Sequence, residues 1–88
     1  MTDTAETWVI RLRNQAPDVD IMIVRFVAAA LGRPAEPHAL TLVYDALIEV
    51  AGQLDTFGYQ STAREWVTVA GVVSAEVERR RALEVRDV

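Results

Sequence analysis

The sequence contains no cysteine, no lysine and only one histidine. Without cysteine, the chain has no disulfide framework, thiol nucleophile or thiolate metal site. His38 and Glu36 are two positions apart, a spacing that does not bring two ligands to the same face of a helix. The four glycines are isolated, so there is no glycine-rich phosphate-binding loop. The sequence therefore predicts neither a metal ion nor another cofactor.

Long apolar runs and signals for export are also missing. The most apolar element, residues 18–31, is interrupted by Arg25 and is shorter than the roughly 20 residues that a membrane-spanning helix needs. The first residues lack the positive charge and apolar run of a signal peptide, which favours a cytoplasmic location. Ser61 and Ser74 do not occur in a G-x-S-x-G nucleophile motif. We therefore expect a protein that is neither an enzyme nor embedded in a membrane.

The chain is nevertheless rich in apolar residues for its size. Its 88 residues, of which 51% are hydrophobic, suffice for a single domain, residues 1–88. A domain this small buries only roughly 60–65% of the surface of its unfolded chain. The surplus either lies scattered over the surface as alanines and valines or forms a contiguous apolar surface that another chain covers. The net charge of −4 argues against nonspecific binding to nucleic acid or anionic membranes.

Apolar residues recur at helical spacing in four segments separated by short breaks. The predicted helices are 4–15, 18–31, 37–57 and 62–82, and residues 83–88 form a frayed C-terminal tail. Short connections place successive helices side by side in opposite directions, which predicts a small antiparallel four-helix bundle, completed by dimerisation if another copy covers it. Residues 8–13 also fit a strand, since their apolar residues alternate.

Several residues at the breaks predict where helices begin and end. Asp3 or Thr4 caps the first helix, with Asp3 and Glu6 at the spacing of a capping box. Gly32 is expected to end the second helix in a left-handed conformation, and Gly58 to end the third. For the start of the fourth helix, the spacing of Thr62 and Glu65 predicts another capping box.

Helix 18–31 has apolar residues on two opposite faces. At about 100° per residue, one face is predicted to lie towards the core of the bundle: Val19, Met22, Ile23, Phe26, Val27 and Ala30. The other face is predicted to meet a partner or a second copy of the chain: Ile21, Val24, Ala28 and Leu31. The alternative is that the other three helices surround this helix within one chain.

Three functions follow from these patterns. The leading hypothesis is a non-enzymatic protein–protein interaction or assembly module that uses the second apolar face of helix 18–31. A dimeric DNA-binding regulator is an alternative, because Ala28 lies four residues before the turn glycine Gly32, as in a helix-turn-helix. However, the helix in the recognition position has no lysine or arginine.

An acidic inhibitor or immunity-type protein is the third possibility. It would use three carboxylates on the exposed face of the third helix to reach a basic site on another protein: Asp45, Glu49 and Asp55. Positive charge is concentrated near the C-terminus in a run of three arginines: Arg79, Arg80 and Arg81. This run either lies on a solvated helix end or docks an acidic partner. Within this run, the pairs Glu76–Arg80 and Arg80–Glu84 have helical i, i+4 spacing.

Overall fold

The described part of the chain is entirely helical apart from its connections. A computed structural model describes residues 4–34 and 36–86. It contains four helices: α1 (Ala5–Gln15), α2 (Ile21–Leu31), α3 (Pro37–Thr56) and α4 (Gln60–Arg86). No strand occurs in these residues, so the all-α prediction is confirmed and residues 8–13 are helical.

The four helices form two pairs that pack against each other. α3 packs most extensively with α4, α1 packs with α2, and α4 also touches both α1 and α2. The N–H of Asp18, just before α2, donates to Glu65 near the start of α4 (2.8 Å), and the end of α2 meets Arg80 near the end of α4. α2 and α4 therefore run in the same direction, as an antiparallel bundle requires. The Cα atoms span 47 × 23 × 15 Å.

The core consists of small and branched aliphatic side chains contributed by every helix. Its fully buried members include Leu12 of α1, Val24 and Leu31 of α2, Leu40 of α3 and Val73 of α4. Further buried residues of this core come from α1, the residue that follows it, and α4: Trp8, Ala16, Val69, Ala70 and Val77. Burial of this apolar surface is the main favourable contribution to folding.

Local chemistry explains several helix ends. Thr4 caps α1, its side-chain oxygen accepting from the N–H of Thr7. Gly58 ends α3 with φ = 93°, a conformation that glycine adopts without strain. The N–H of Tyr59 donates to the carbonyl of Leu54 (2.9 Å), which completes a Schellman motif. These two predicted ends are confirmed, while the predicted box of Asp3 with Glu6 involves a residue outside the described range.

Two other predictions about helix ends are wrong in part. Gly32 follows the last residue of α2 as predicted, but its φ of −78° is not left-handed. A Cβ at this position would lie 2.8 Å from the backbone nitrogen of Ala5, so glycine is needed here for the close approach of the start of α1. α4 begins at Gln60, which puts Thr62 inside the helix and leaves the carboxylate of Glu65 to bind the Asp18 N–H instead of a local N–H.

The bounds of α2 and α4 also differ from those predicted. α2 begins at Ile21 rather than at residue 18, because the carboxylate of Asp20 accepts from the N–H of Met22 (2.8 Å) and caps the helix there. α4 extends to Arg86, four residues beyond its predicted end. The predicted tail 83–88 is therefore helical as far as Arg86, and residues 87 and 88 lie outside the described range.

Candidate interaction site

The two faces of α2 are partly reversed relative to the prediction: Val19 and Val27 of the predicted core face are buried as expected, but the predicted partner face is buried as well. Three of the four residues predicted to meet a partner are fully buried inside the chain: Val24, Ala28 and Leu31. The fourth, Ile21, is partly buried and packs against the core. From the predicted core face, Met22 and Phe26 are instead 67% and 60% exposed. The face assigned to a partner is thus covered within the chain, and Met22 and Phe26 lie at the surface.

The close packing of α1 against α2 gives a physical reason for this reversal. α2 makes its most extensive contacts with α1, and Gly32 at its end approaches the backbone of Ala5. Ala28, one turn before Gly32, is small enough to face a neighbouring helix at short distance. The bulkier Met22 and Phe26 lie on the opposite side of the helix, where no such closely packed neighbour exists.

An apolar groove lies between α2 and α3, with Trp66 of α4 as part of its lining. We call it the α2–α3 groove; it has a volume of about 380 Å³. Its lining residues are Ile23, Phe26, Val27, Leu42, Val43, Ala46, Leu47, Val50 and Trp66. None of these side chains is charged, and the only polar atom they carry is the indole nitrogen of Trp66. Val27 and Leu47 also belong to the buried core, so the groove opens directly onto it.

Large apolar side chains project from the margins of this groove. Phe26 on the α2 side and Leu42 on the α3 side are 60% and 59% exposed. Met22, one turn before Phe26 on the same face of α2, extends the apolar surface along the helix. A contiguous exposed apolar surface of this kind is typical of a site that another molecule covers.

The two outer edges of the groove carry opposite charges. At about 100° per residue, Arg25 lies on the side of α2 away from α3, beyond the exposed Phe26. On α3, Asp45 and Glu49 lie on the side away from α2, beyond Leu42. All three charged side chains are exposed. None of them forms an ion pair within residues 4–34 and 36–86.

Asp55, the third predicted carboxylate of α3, is separated from the other two. It is exposed and lines a different groove, between α3 and α4. Asp45 and Glu49 are thus the predicted acidic contacts that lie beside the α2–α3 groove, and Asp55 is not part of that site.

The three C-terminal arginines do not form one basic patch. Arg80 is buried, and its guanidinium donates to the carbonyls of Leu31 (2.7 Å) and Arg33 (2.9 Å). It therefore satisfies carbonyl groups at the end of α2 that have no partner within that helix. From this buried position Arg80 neither lies on a solvated helix end nor docks an acidic partner, so both of its predicted roles are wrong.

Glu76, also in α4, binds the side chains of both Arg79 and Arg80. Its carboxylate accepts from Arg79 (2.9 Å) and from Arg80 (2.8 Å), so the predicted Glu76–Arg80 pair is confirmed. The hydrogen bond from Arg79 is the main reason that the pKa of Glu76 lies below its ordinary value; burial opposes this shift, and Arg80 adds to it. Arg81, which is half exposed, lies 3.6 Å from Glu78.

A third groove, of mixed polarity, lies between α1 and α4. Trp8, Arg11 and Gln15 line it from α1, while Gly71, Glu76 and Arg79 are among its lining residues from α4. The guanidinium of Arg11 lies 4.9 Å from the ring centre of Trp8, a cation–π contact. The buried Nε1 of Trp8 has no hydrogen-bond partner among the described residues. This groove is less apolar than the α2–α3 groove and carries its own internal ion pair.

The residues that the structure describes contain neither a cluster of metal-binding side chains nor a membrane-spanning helix. His38 is exposed on the first turn of α3. No three histidine, aspartate or glutamate side chains of residues 4–34 and 36–86 are close enough to hold a metal ion. No helix in these ranges is long and apolar enough to cross a membrane.

The chain matches no protein-family model, no curated protein and no solved structure. What it binds must therefore be inferred from its own residues.

Proposed function

We propose that this chain is a non-enzymatic protein–protein interaction module that uses the α2–α3 groove as its binding surface. The observation that carries the proposal is the uncharged groove itself, with Phe26 and Leu42 exposed beside it. Aromatic side chains that enter a pocket of a partner contribute a large share of binding energy at interfaces. A partner that covers this surface would remove its apolar area from water, which stabilises the complex by about 25 cal/mol for each Å² of apolar surface buried.

The composition of the groove supports binding rather than catalysis. Its nine lining residues include no nucleophile, no carboxylate and no histidine. Catalysis requires groups that stabilise charge developing in a transition state or move a proton. An uncharged aliphatic and aromatic lining suits instead the apolar face of another protein.

The two alternative functions have weaker support. A DNA-binding regulator would bring the exposed Asp45 and Glu49 of α3 towards phosphate groups, which these carboxylates repel. An acidic inhibitor that meets a basic protein through the same two carboxylates is electrostatically reasonable. However, it would leave the apolar groove beside them without a role.

A pair of matched variants tests the proposal. Phe26→Asp places a charge on the groove, whereas Ile10→Asp places the same charge on α1 at a side chain of nearly equal exposure, 62%. The wild-type chain and each variant are immobilised and incubated with purified wild-type chain and, separately, with a lysate of its native cell. Wild type and Ile10→Asp are expected to retain the same protein, and Phe26→Asp to retain at least about tenfold less of it.

Circular dichroism must first show that both variants keep the helix content of the wild type. Equal retention by Phe26→Asp and wild type, or no retention by the wild type, would contradict the proposed use of the groove.

A further inference from the structure

We infer that the occupant of the α2–α3 groove is the same groove of a second copy of this chain. The inference rests on the proposed function and names the partner. Its basis is the opposite charge of the two edges: Arg25 beyond the α2 side, Asp45 and Glu49 beyond the α3 side. A two-fold symmetric interface requires a surface that is complementary to itself, and a groove with one basic and one acidic edge meets this requirement.

The two-fold symmetry places each charged edge of one copy against the oppositely charged edge of the other copy. When two copies meet face to face about a two-fold axis that runs along the groove, α2 of one copy lies over α3 of the other. Arg25 of each copy then approaches Asp45 and Glu49 of its partner, at two equivalent places. Ile23, Phe26 and Val27 line the groove together with Leu42, Ala46 and Val50 of α3, so Arg25 lies at about the level of Asp45 and one turn from Glu49, and no large shift along the axis is needed.

The apolar surface fits the same arrangement. Phe26 and Leu42 project from opposite margins of the groove, and the floor between them is formed by side chains that include Val27 and Leu47. Under the two-fold axis, Phe26 of each copy lies opposite the α3 wall of the other. The uncharged lining becomes the dry centre of the interface, and the unpaired charges form its polar rim.

The opposite charges of the edges also make the inference testable by exchange. Arg25→Glu creates a chain in which both edges are acidic, and the double variant Asp45→Arg/Glu49→Arg creates one in which both are basic. Each variant alone then places like charges against each other at both rims. When the two variants are mixed, both rims of the mixed dimer pair opposite charges again.

Sedimentation equilibrium at low salt measures the result for the wild type, each variant and their equimolar mixture. The wild type is expected to dimerise, each variant to dimerise at least about tenfold more weakly, and the mixture to recover most of the lost affinity. Recovery also shows that both variants are folded. All the substituted side chains are exposed, so the helix content should not change.

Two results would overturn the inference. One is a mixture that associates no more tightly than the separate variants. The other is a wild type that stays monomeric at concentrations at which its groove retains a different protein. That second result would contradict the dimer but not the proposed function. If the wild type bound neither a second copy nor any other protein through Phe26, both the dimer and the proposed function would be contradicted.

Discussion

At the scale of single residues, Arg80 joins two helices that lie far apart in the sequence. Its neighbours Arg79 and Arg81 are substantially exposed, yet Arg80 turns inward to the end of α2. Cations near the carbonyl end of a helix are favoured by the helix dipole as well as by hydrogen bonds. Glu76 compensates the buried positive charge, so the cluster stabilises the α2–α4 contact without leaving a charge unpaired.

We predict that Arg80→Ala lowers the free energy of unfolding by about 3 kcal/mol, because it leaves buried carbonyls and a buried carboxylate with fewer partners. The matched control is Arg81→Ala, whose exposed side chain should contribute less than about 0.5 kcal/mol. Urea unfolding followed by circular dichroism measures both values. Similar effects from the two substitutions would contradict the capping role of Arg80.

Sequence patterns predicted one part of this cluster and missed the other. Glu76 and Arg80 are four residues apart, so helical spacing alone brought them together. The carbonyl of Leu31 is 49 positions from Arg80, and a backbone group carries no sequence signal. Helical spacing from the buried Val73 and Val77 places Arg80 on the inner face of α4, but it does not show which backbone groups lie opposite, because that depends on where α2 ends in space.

At the scale of elements, α2 shows how far helical periodicity can guide an assignment. The sequence correctly indicated two apolar faces separated by a narrow polar strip. It did not indicate which face is inside, because both are apolar and the larger side chains of Met22 and Phe26 favoured the wrong one. A signal was present in Ala28 and Gly32, whose small size at i, i+4 spacing marks the face that α1 approaches.

Two glycines in and after α3 are expected to change the stability of the chain in opposite directions when each is replaced by alanine. Gly58→Ala should destabilise the chain by about 1 kcal/mol, because φ = 93° strains a residue with a Cβ. Gly52→Ala should stabilise it by roughly 0.5–1 kcal/mol, since Gly52 is inside α3 and no atom lies within 4 Å of the added Cβ. Thermal unfolding of both variants checks the two signs; equal shifts in one direction would contradict this reading of the backbone.

At the scale of the whole molecule, the α2–α3 groove is where apolar side chains that the small core does not bury are exposed. A domain of this size has little core to spare, yet Met22, Phe26 and Leu42 remain exposed. The composition predicted that some apolar surface would remain uncovered, and the structure bears this out while moving that surface to the other face of α2. The sequence alone did not place Arg25, Asp45 and Glu49 at opposite edges of one groove, because that arrangement depends on how α2 and α3 lie side by side.

If a second copy covers the groove, the stability of the chain must depend on its concentration. Association favours the folded state by mass action, so each tenfold rise in concentration adds about 1.4 kcal/mol per dimer. Shared between two chains, this should raise the melting temperature by roughly 3–6 °C in the range where the dimer is populated. Phe26→Asp should melt at the same temperature at every concentration, and Ile10→Asp should follow the wild type. A wild-type melting temperature that does not change over a hundredfold range would contradict a dimeric native state, because only an associated form couples unfolding to concentration.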